Sequence, residues 1–298
     1  MVTPLSNPKH MVLSLTEKGA RFFFTRFLRN FISTGCVTIL EEGGSVYTFA
    51  GKNSRCHLKS VLVIHSPQFY WKVMTQADLG LADAYINGDF SFVDKERGLL
   101  DLLMILIANK ELNSNNSNHA KRRGWWTPMF LTASLASAKH FLKHASRQNT
   151  LTQARRNISR HYDLSNELFA LFLDDTMTYS SAVFKSNDED LRTAQMRKIS
   201  LLIDKTAFLY CSVENVENIG IHYYQTLRCW RKTFLERQKQ IIDLGFDDKF
   251  IRTWEYYFDY CAAGFKTLTL GNYQVVFSRP GNVAALGDPF HCFPSAQS

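Results

Sequence analysis

No apolar run in the 298 residues is long enough to span a bilayer, and the N-terminus lacks a basic start followed by an unbroken apolar core. A membrane-spanning or secreted chain is therefore not expected; a cytoplasmic protein, free or held at a membrane surface, is. The six cysteines (Cys36, Cys56, Cys211, Cys229, Cys261, Cys292) form no CxxC pair, which excludes a zinc cage and a disulfide framework and leaves no expected metal site. Glycine is missing throughout Lys185–Ile219, so no glycine-rich cofactor turn lies there. Glu41-Glu42-Gly43-Gly44 lacks the GxGxxG spacing and leads into no helix, which predicts a hairpin turn instead. Acidic residues are missing from Lys121 to Arg160, where nine Lys or Arg stand. Set against a net charge of +8, the rest of the chain sums to about −1, so the basicity is local.

What is present suffices for two domains of ordinary size, since 45% of the residues are hydrophobic. Residues 1–15 read as a polar lead-in. From Thr16 a helix is predicted with Phe22, Phe23, Phe27, Leu28 and Phe31 on its apolar, core-packing side. Cys36 to Ile64 alternates as strands broken by turns, Phe69 to Ile86 has helical periodicity, and NGDFSF leads to an apolar helix over Leu99–Ala108. Asn113-Ser114-Asn115-Asn116-Ser117-Asn118 is compositionally a linker. These features divide the chain into a small α+β domain at 1–112, a linker with a basic amphipathic helix at 113–156, and a second domain at 157–298.

Within the basic segment, Lys121, Arg122 and Arg123 stand beside Trp125 and Trp126, and a helix after Pro128 carries Lys139 and Lys143. Tryptophan at an apolar–polar boundary beside cations suits an interfacial helix on an anionic phospholipid surface. A helix packed on the protein with a solvated basic face fits the same residues. No helix-turn-helix, zinc-finger or RNA-binding signature accompanies the charge, so nucleic acid is not the expected partner.

The stretch from Arg155 to Ile203 reads as helix, loop, helix. Asp163 and Ser165 are of the type that starts a helix, and Leu168, Phe169, Leu171, Phe172 and Leu173 supply a buried stripe. After Ser186-Asn187-Asp188 a second helix carries Leu191, Ala194, Met196, Ile199 and Leu202 at helical spacing. Thr176-Met177-Thr178-Tyr179-Ser180-Ser181 forms a polar loop between them. Further on, Cys229 to Leu244 and Asp247 to Gly264 read as helices, and GNYQVVFSRPGNVAA as a terminal strand with a tail.

HYDLSNELFALFLDDTMTYSSAVF resembles the opening motif of the cyclopropane-fatty-acyl-phospholipid synthases, and QFYWKVMTQADLGLADAYINGDFSFVD, NIGIHYYQTLRCW and YYFDYCAAGF resemble the plant-type members of that family. In plant relatives the lead-in looks like the junction that follows a flavin-oxidase-like module. The resemblance implies an S-adenosylmethionine-dependent methyltransferase that delivers a methylene to the cis double bond of a phospholipid acyl chain, with bicarbonate as the base. It implies Tyr179 and Ser180 as cofactor contacts, Ser181 (usually Cys, acting through its backbone N–H) and Tyr223 at the bicarbonate, and Cys261 and Tyr223 as the catalytic candidates. Read without the family, Cys261 and Tyr223 are equally a buried helical cysteine and a core tyrosine.

The same resemblance exposes an absence. In relatives the cofactor-binding core begins just after the helix ending near Leu202; here LLIDKT runs straight into AFLYCSVENVENIG, which looks like a strand from the far end of that domain. The expected fold is an α+β N-terminal domain followed by a truncated α/β class I methyltransferase domain, Rossmann-like but with most of its parallel sheet missing, and with the junction near residues 205–209. The βαβ units lost would be about 30 residues each. Apolar strand faces left bare by the loss predict poor stability or a compensating partner, either a second copy or a full-length relative.

Overall fold

The computed structural model describes residues 14–52, 56–115, 164–206 and 212–278. The basic segment with Lys121, Arg122, Arg123, Trp125, Trp126, Lys139 and Lys143 lies outside these residues, as does Asp163. Helix α1 (Leu15–Phe31) opens on a capping box: the Ser14 hydroxyl accepts from the Glu17 N–H, and the Glu17 carboxylate accepts from the Ser14 N–H. Its buried face is Ala20, Phe24 and Leu28. The expected face is thus corrected. Phe22 and Phe23 point outward, because the i, i+4, i+8 stripe through Ala20 sets the helix phase.

Strands β1 (Cys36–Glu41) and β2 (Val46–Ala50) form the expected hairpin, turning through Gly43 and Gly44 at φ 124° and 99°. β3 (Lys59–Ile64) pairs parallel to β1, and β4 (Phe90–Phe92) antiparallel to β3, giving the order β2-β1-β3-β4. Helix α2 (Gln68–Ile86) is interrupted at Ala77, where φ is 48°. The distortion brings the Lys72 carbonyl to 2.0 Å from where a Cβ on Gly80 would lie, so only glycine fits there. Helix α3 (Gly98–Asn115) buries Leu99, Leu100, Leu102, Leu103 and Ile105 against the sheet, and continues into the stretch read as linker. Its buried Asn109 accepts from the Ser33 and Thr34 N–H groups at 2.6 and 3.1 Å, tying the helix to the start of β1.

The second region holds α4 (Asn166–Ala170), α5 (Leu191–Thr206), β5 (Ser212–Asn218), α6 (Gly220–Glu236), α7 (Gln238–Asp243), α8 (Asp248–Lys266) and β6 (Tyr273–Ser278). Ser165 caps α4 as its side chain predicts, accepting from the Leu168 N–H at 3.3 Å. The helix expected from Cys229 begins at Gly220, so Tyr223 sits in its first turns, and it breaks near Arg237 into α6 and α7. β5 and β6 pair antiparallel with a bulge near Val213–Asn215.

Helix α8 packs on α6 and also on α2 and α3, and one hydrophobic cluster runs through both regions. Charge reinforces that joint. Buried Arg231 donates to Asp259 Oδ2 at 3.0 Å, Glu255 Oε1 at 2.6 Å and the Lys95 carbonyl at 2.8 Å. Arg228 donates to Asp259 Oδ1 at 2.5 Å and to the Glu96 carbonyl at 3.0 Å. The architecture is mixed α and β, with a small four-stranded sheet, a two-stranded ribbon and helices around a shared core.

Candidate functional site

Trp230, fully buried on α6, is the hub. The Tyr179 ring lies 5.1 Å from it, and the Tyr223 ring 6.1 Å away, edge-on at 89°. Tyr223 in turn stacks on Phe265 of α8 at 4.8 Å. Below, Phe172 fills the space between Trp230, Phe234, Trp254 and Phe258. Tyr179 reaches this platform because the chain reverses after α4. The Asp174 carboxylate accepts from the Thr176 N–H, and Met177 adopts a left-handed φ of 51°.

Tyr257 of α8 lies within electrostatic reach of both the Tyr179 hydroxyl and the Cys261 thiol, and so relates the loop to the helix. Three of the sequence-predicted residues, Tyr179, Tyr223 and Cys261, are therefore brought together around a fourth that the motif did not supply. Tyr257 was discoverable, since it stands one helical turn before Cys261 on the same face. Burial pushes all four pKa values up, that of Tyr223 to about 12. At neutral pH the site presents neutral hydroxyls, a thiol and π faces. Among the described residues the ring and hydrogen-bond partners of these side chains are aromatic or sulfur groups, none a carboxylate or an imidazole. The cluster can stabilise positive charge, but holds no base of its own. The buried Trp230 indole N–H has no partner, which leaves one unspent donor beside Tyr179 and Tyr223.

Ser180 is held from the opposite side, by α5. Lys198 donates to Ser180 Oγ at 2.7 Å and to Gln195 Oε1 at 2.8 Å, while Gln195 Nε2 donates to the Ser180 carbonyl at 2.9 Å. The expected apolar stripe of α5 is corrected here. Gln195 and Lys198 are buried, whereas Met196 and Leu202 are exposed, because the polar loop backbone demands donors from the helix facing it. Burial lowers the Lys198 pKa against the opposing pull of Asp174. Ser181 is buried, its hydroxyl donating to the Ala182 carbonyl at 3.0 Å. The Ala182 N–H is taken by Thr226 and the Phe184 N–H by His222 Nδ1.

A cofactor crevice is another matter. Among the described residues after 164 the strands are β5 and β6, which run antiparallel, whereas an adenosyl cofactor of this class lies at the carboxyl ends of parallel strands. The cleft lined by Phe184, Lys185, Ser186, Asn187, Ile221, His222 and Gln225 measures about 180 Å³. Ligand pockets of drug size run from roughly 300 Å³ upward. What the described residues bring together is an aromatic wall, and the cleft beside it is smaller than such a ligand requires. Among them no cluster of metal-ligating side chains occurs, and no helix is long and apolar enough to cross a membrane.

The family model of mycolic acid cyclopropane synthetase matches residues 149–210 and 209–275, two segments that meet on this chain. The tuberculostearic acid methyltransferase UfaA1 of Mycobacterium tuberculosis is 35% identical over 151 residues, 48% of this chain and 31% of that protein. Cyclopropane mycolic acid synthase 3 of the same organism is 49% identical over 55 residues, 18% of this chain and 19% of its own length. Cyclopropane mycolic acid synthase 1 is 51% identical over 49 residues, 16% and 17% respectively. The matched stretch spans less than a third of the length of each of these relatives.

Proposed function

Since this chain belongs to the cyclopropane synthase family of S-adenosylmethionine-dependent methyltransferases, we propose that it retains the aromatic wall of a methylene-transfer site, lacks the cofactor crevice, and is impaired or inactive in catalysis by itself. The family reaction, carried to this chain, is methylene transfer to the cis double bond of a phospholipid acyl chain. In that chemistry the rings of Tyr223, Tyr179 and Trp230 would face the transient cation. Ser181 and Tyr223 would stand by the bicarbonate, and Tyr179 and Ser180 by the cofactor. Cys261, a neutral thiol whose pKa burial raises, would shape the wall and not act as a nucleophile.

One observation carries the reading. Tyr179 and Tyr223, far apart in sequence, meet at Trp230 with Cys261 within electrostatic reach of both, while the 35 residues from Lys185 to Ile219 contain no glycine for a cofactor turn. The two family matches meeting at residues 209–210 support an internal gap next to the expected junction at 205–209. A second reading, a non-catalytic module that associates with a membrane surface or a full-length relative, is favoured by the bare face of the β5–β6 ribbon. There Val216 and Tyr273 are 57% and 60% exposed.

Calorimetric titration with S-adenosylmethionine, on a chain shown to be folded by circular dichroism, tests the proposal. No saturable heat is expected at cofactor concentrations found in cells. Saturable binding that disappears in Tyr179→Ala would overturn the inactive reading and make the chain a cofactor-binding enzyme.

A further inference from the structure

The outer face of α1 interleaves exposed apolar and basic side chains, although its phenylalanines read from sequence as core. Opposite the buried Ala20, Phe24 and Leu28, the stripe Leu15, Lys18, Phe22, Arg26 and Arg29 runs along the exposed side at intervals of three and four residues. Phe22 is 55% exposed, and Phe23 beside it 43%; their rings pack edge to face at 5.8 Å while remaining open to solvent. Bare phenylalanines on a helix whose other side is fully packed are not explained by the core. The helix's one acid, Glu17, is taken up by the Ser14 cap. The outward charges are all positive, and Lys18 and Arg29 form no ion pair among the described residues.

We propose that this face docks on an anionic phospholipid bilayer, with Leu15, Phe22 and Phe23 entering the headgroup–acyl boundary and Lys18 and Arg29 meeting the lipid phosphates and carboxylates. Apolar side chains interleaved with cations, and no outward acid, give the complementarity that such an interface requires. A second copy is a poor occupant. Self-pairing would set Lys18 and Arg29 against the same two cations, and like charges across an interface are strongly disfavoured. The proposal deepens the second reading above and reads vesicle binding instead of cofactor binding, so either can fail alone.

The test is flotation of the full chain with phosphatidylcholine vesicles, with and without phosphatidylserine, across a salt series. The parent should float with the anionic vesicles and release as salt rises. Lys18→Gln/Arg29→Gln should weaken that binding by roughly tenfold or more and flatten its salt dependence. Phe22→Ser/Phe23→Ser should weaken it at every salt concentration, while both variants keep the parent's melting temperature because the altered side chains are exposed. A parallel Lys121→Gln/Arg122→Gln/Arg123→Gln variant should leave the dependence on α1 in place. Flotation of the folded α1 variants at the parent's level would overturn the proposal, as would a folded parent that binds neither vesicle or binds both equally.

Discussion

The two sheets of this protein meet opposite fates. In the first region β2-β1-β3-β4 lies under α1, α2 and α3, and Val37, Ile39, Leu62 and Ile64 are all buried. In the second region β5 and β6 form a ribbon of two strands, and its cross-strand pair Val216 and Val275 is exposed. Two strands alone are marginal in water. What steadies the second region is therefore its helices, and those lean on the first region: α8 on α2 and α3, and Arg228, Arg231 and Arg252 on carbonyls of Tyr85, Phe90, Lys95 and Glu96. The aromatic wall around Trp230 is organised by a scaffold that carries none of its rings.

Breaking that joint should have the largest effect. Asp259 is buried and accepts from both Arg228 and Arg231. Asp259→Ala leaves the buried Arg231 with Glu255 as its one carboxylate partner among the described residues, and removing one partner of a buried pair costs about 3–5 kcal/mol. Urea unfolding followed by tryptophan fluorescence and by circular dichroism should shift to lower midpoint with both probes together, because the two regions share a core. If the fluorescence transition alone moved, the regions would be energetically separate.

A smaller effect is tied to pH and confined to the second region. The Phe184 N–H donates to His222 Nδ1 at 3.2 Å, which requires a neutral ring, and burial lowers the His222 pKa below its ordinary value. The unfolded chain then takes up the proton first as pH falls. The contribution is complete above about pH 6.5 and is lost as pH drops from there through the lower folded value. The ring is part-exposed, so the loss should be no more than about 1 kcal/mol. His222→Gln, which keeps an acceptor for Phe184, should flatten the dependence of the urea midpoint on pH across this window. An unchanged slope would mean that another group sets it.

The local elements were legible because local rules decide them: the Gly43–Gly44 turn, the cap at Ser165, the alternation of β1 to β3, and the terminal strands. The phase of α1 was not, since phenylalanines at 22, 23, 24, 27 and 31 offer more than one apolar face, and only packing against α2 selects Phe24. Gln195 and Lys198 fall outside the apolar stripe expected of this helix; they are buried because a polar loop from 15 to 18 residues earlier folds back on them. The wall at Trp230 was legible only in part. The motifs supplied Tyr179, Tyr223 and Cys261, but that Tyr257 would come near Tyr179, 78 residues earlier, is a tertiary fact with no local pattern beyond its place one turn before Cys261.

The smallest expected effect addresses the contrast between the sheets directly. Val37, buried in β1, and Val275, exposed in β6, are the same residue in the same kind of strand. Replacing Val37 with Thr buries a hydroxyl and should cost about 1–3 kcal/mol. The double change Val216→Thr/Val275→Thr alters an exposed pair and should stay within about 0.5 kcal/mol. If the ribbon instead lies under a second copy or a full-length relative, the double variant keeps its urea midpoint at low protein concentration but loses association in sedimentation. A large loss of monomer stability would mean that the ribbon is covered within the chain, and the contrast between the sheets would fall.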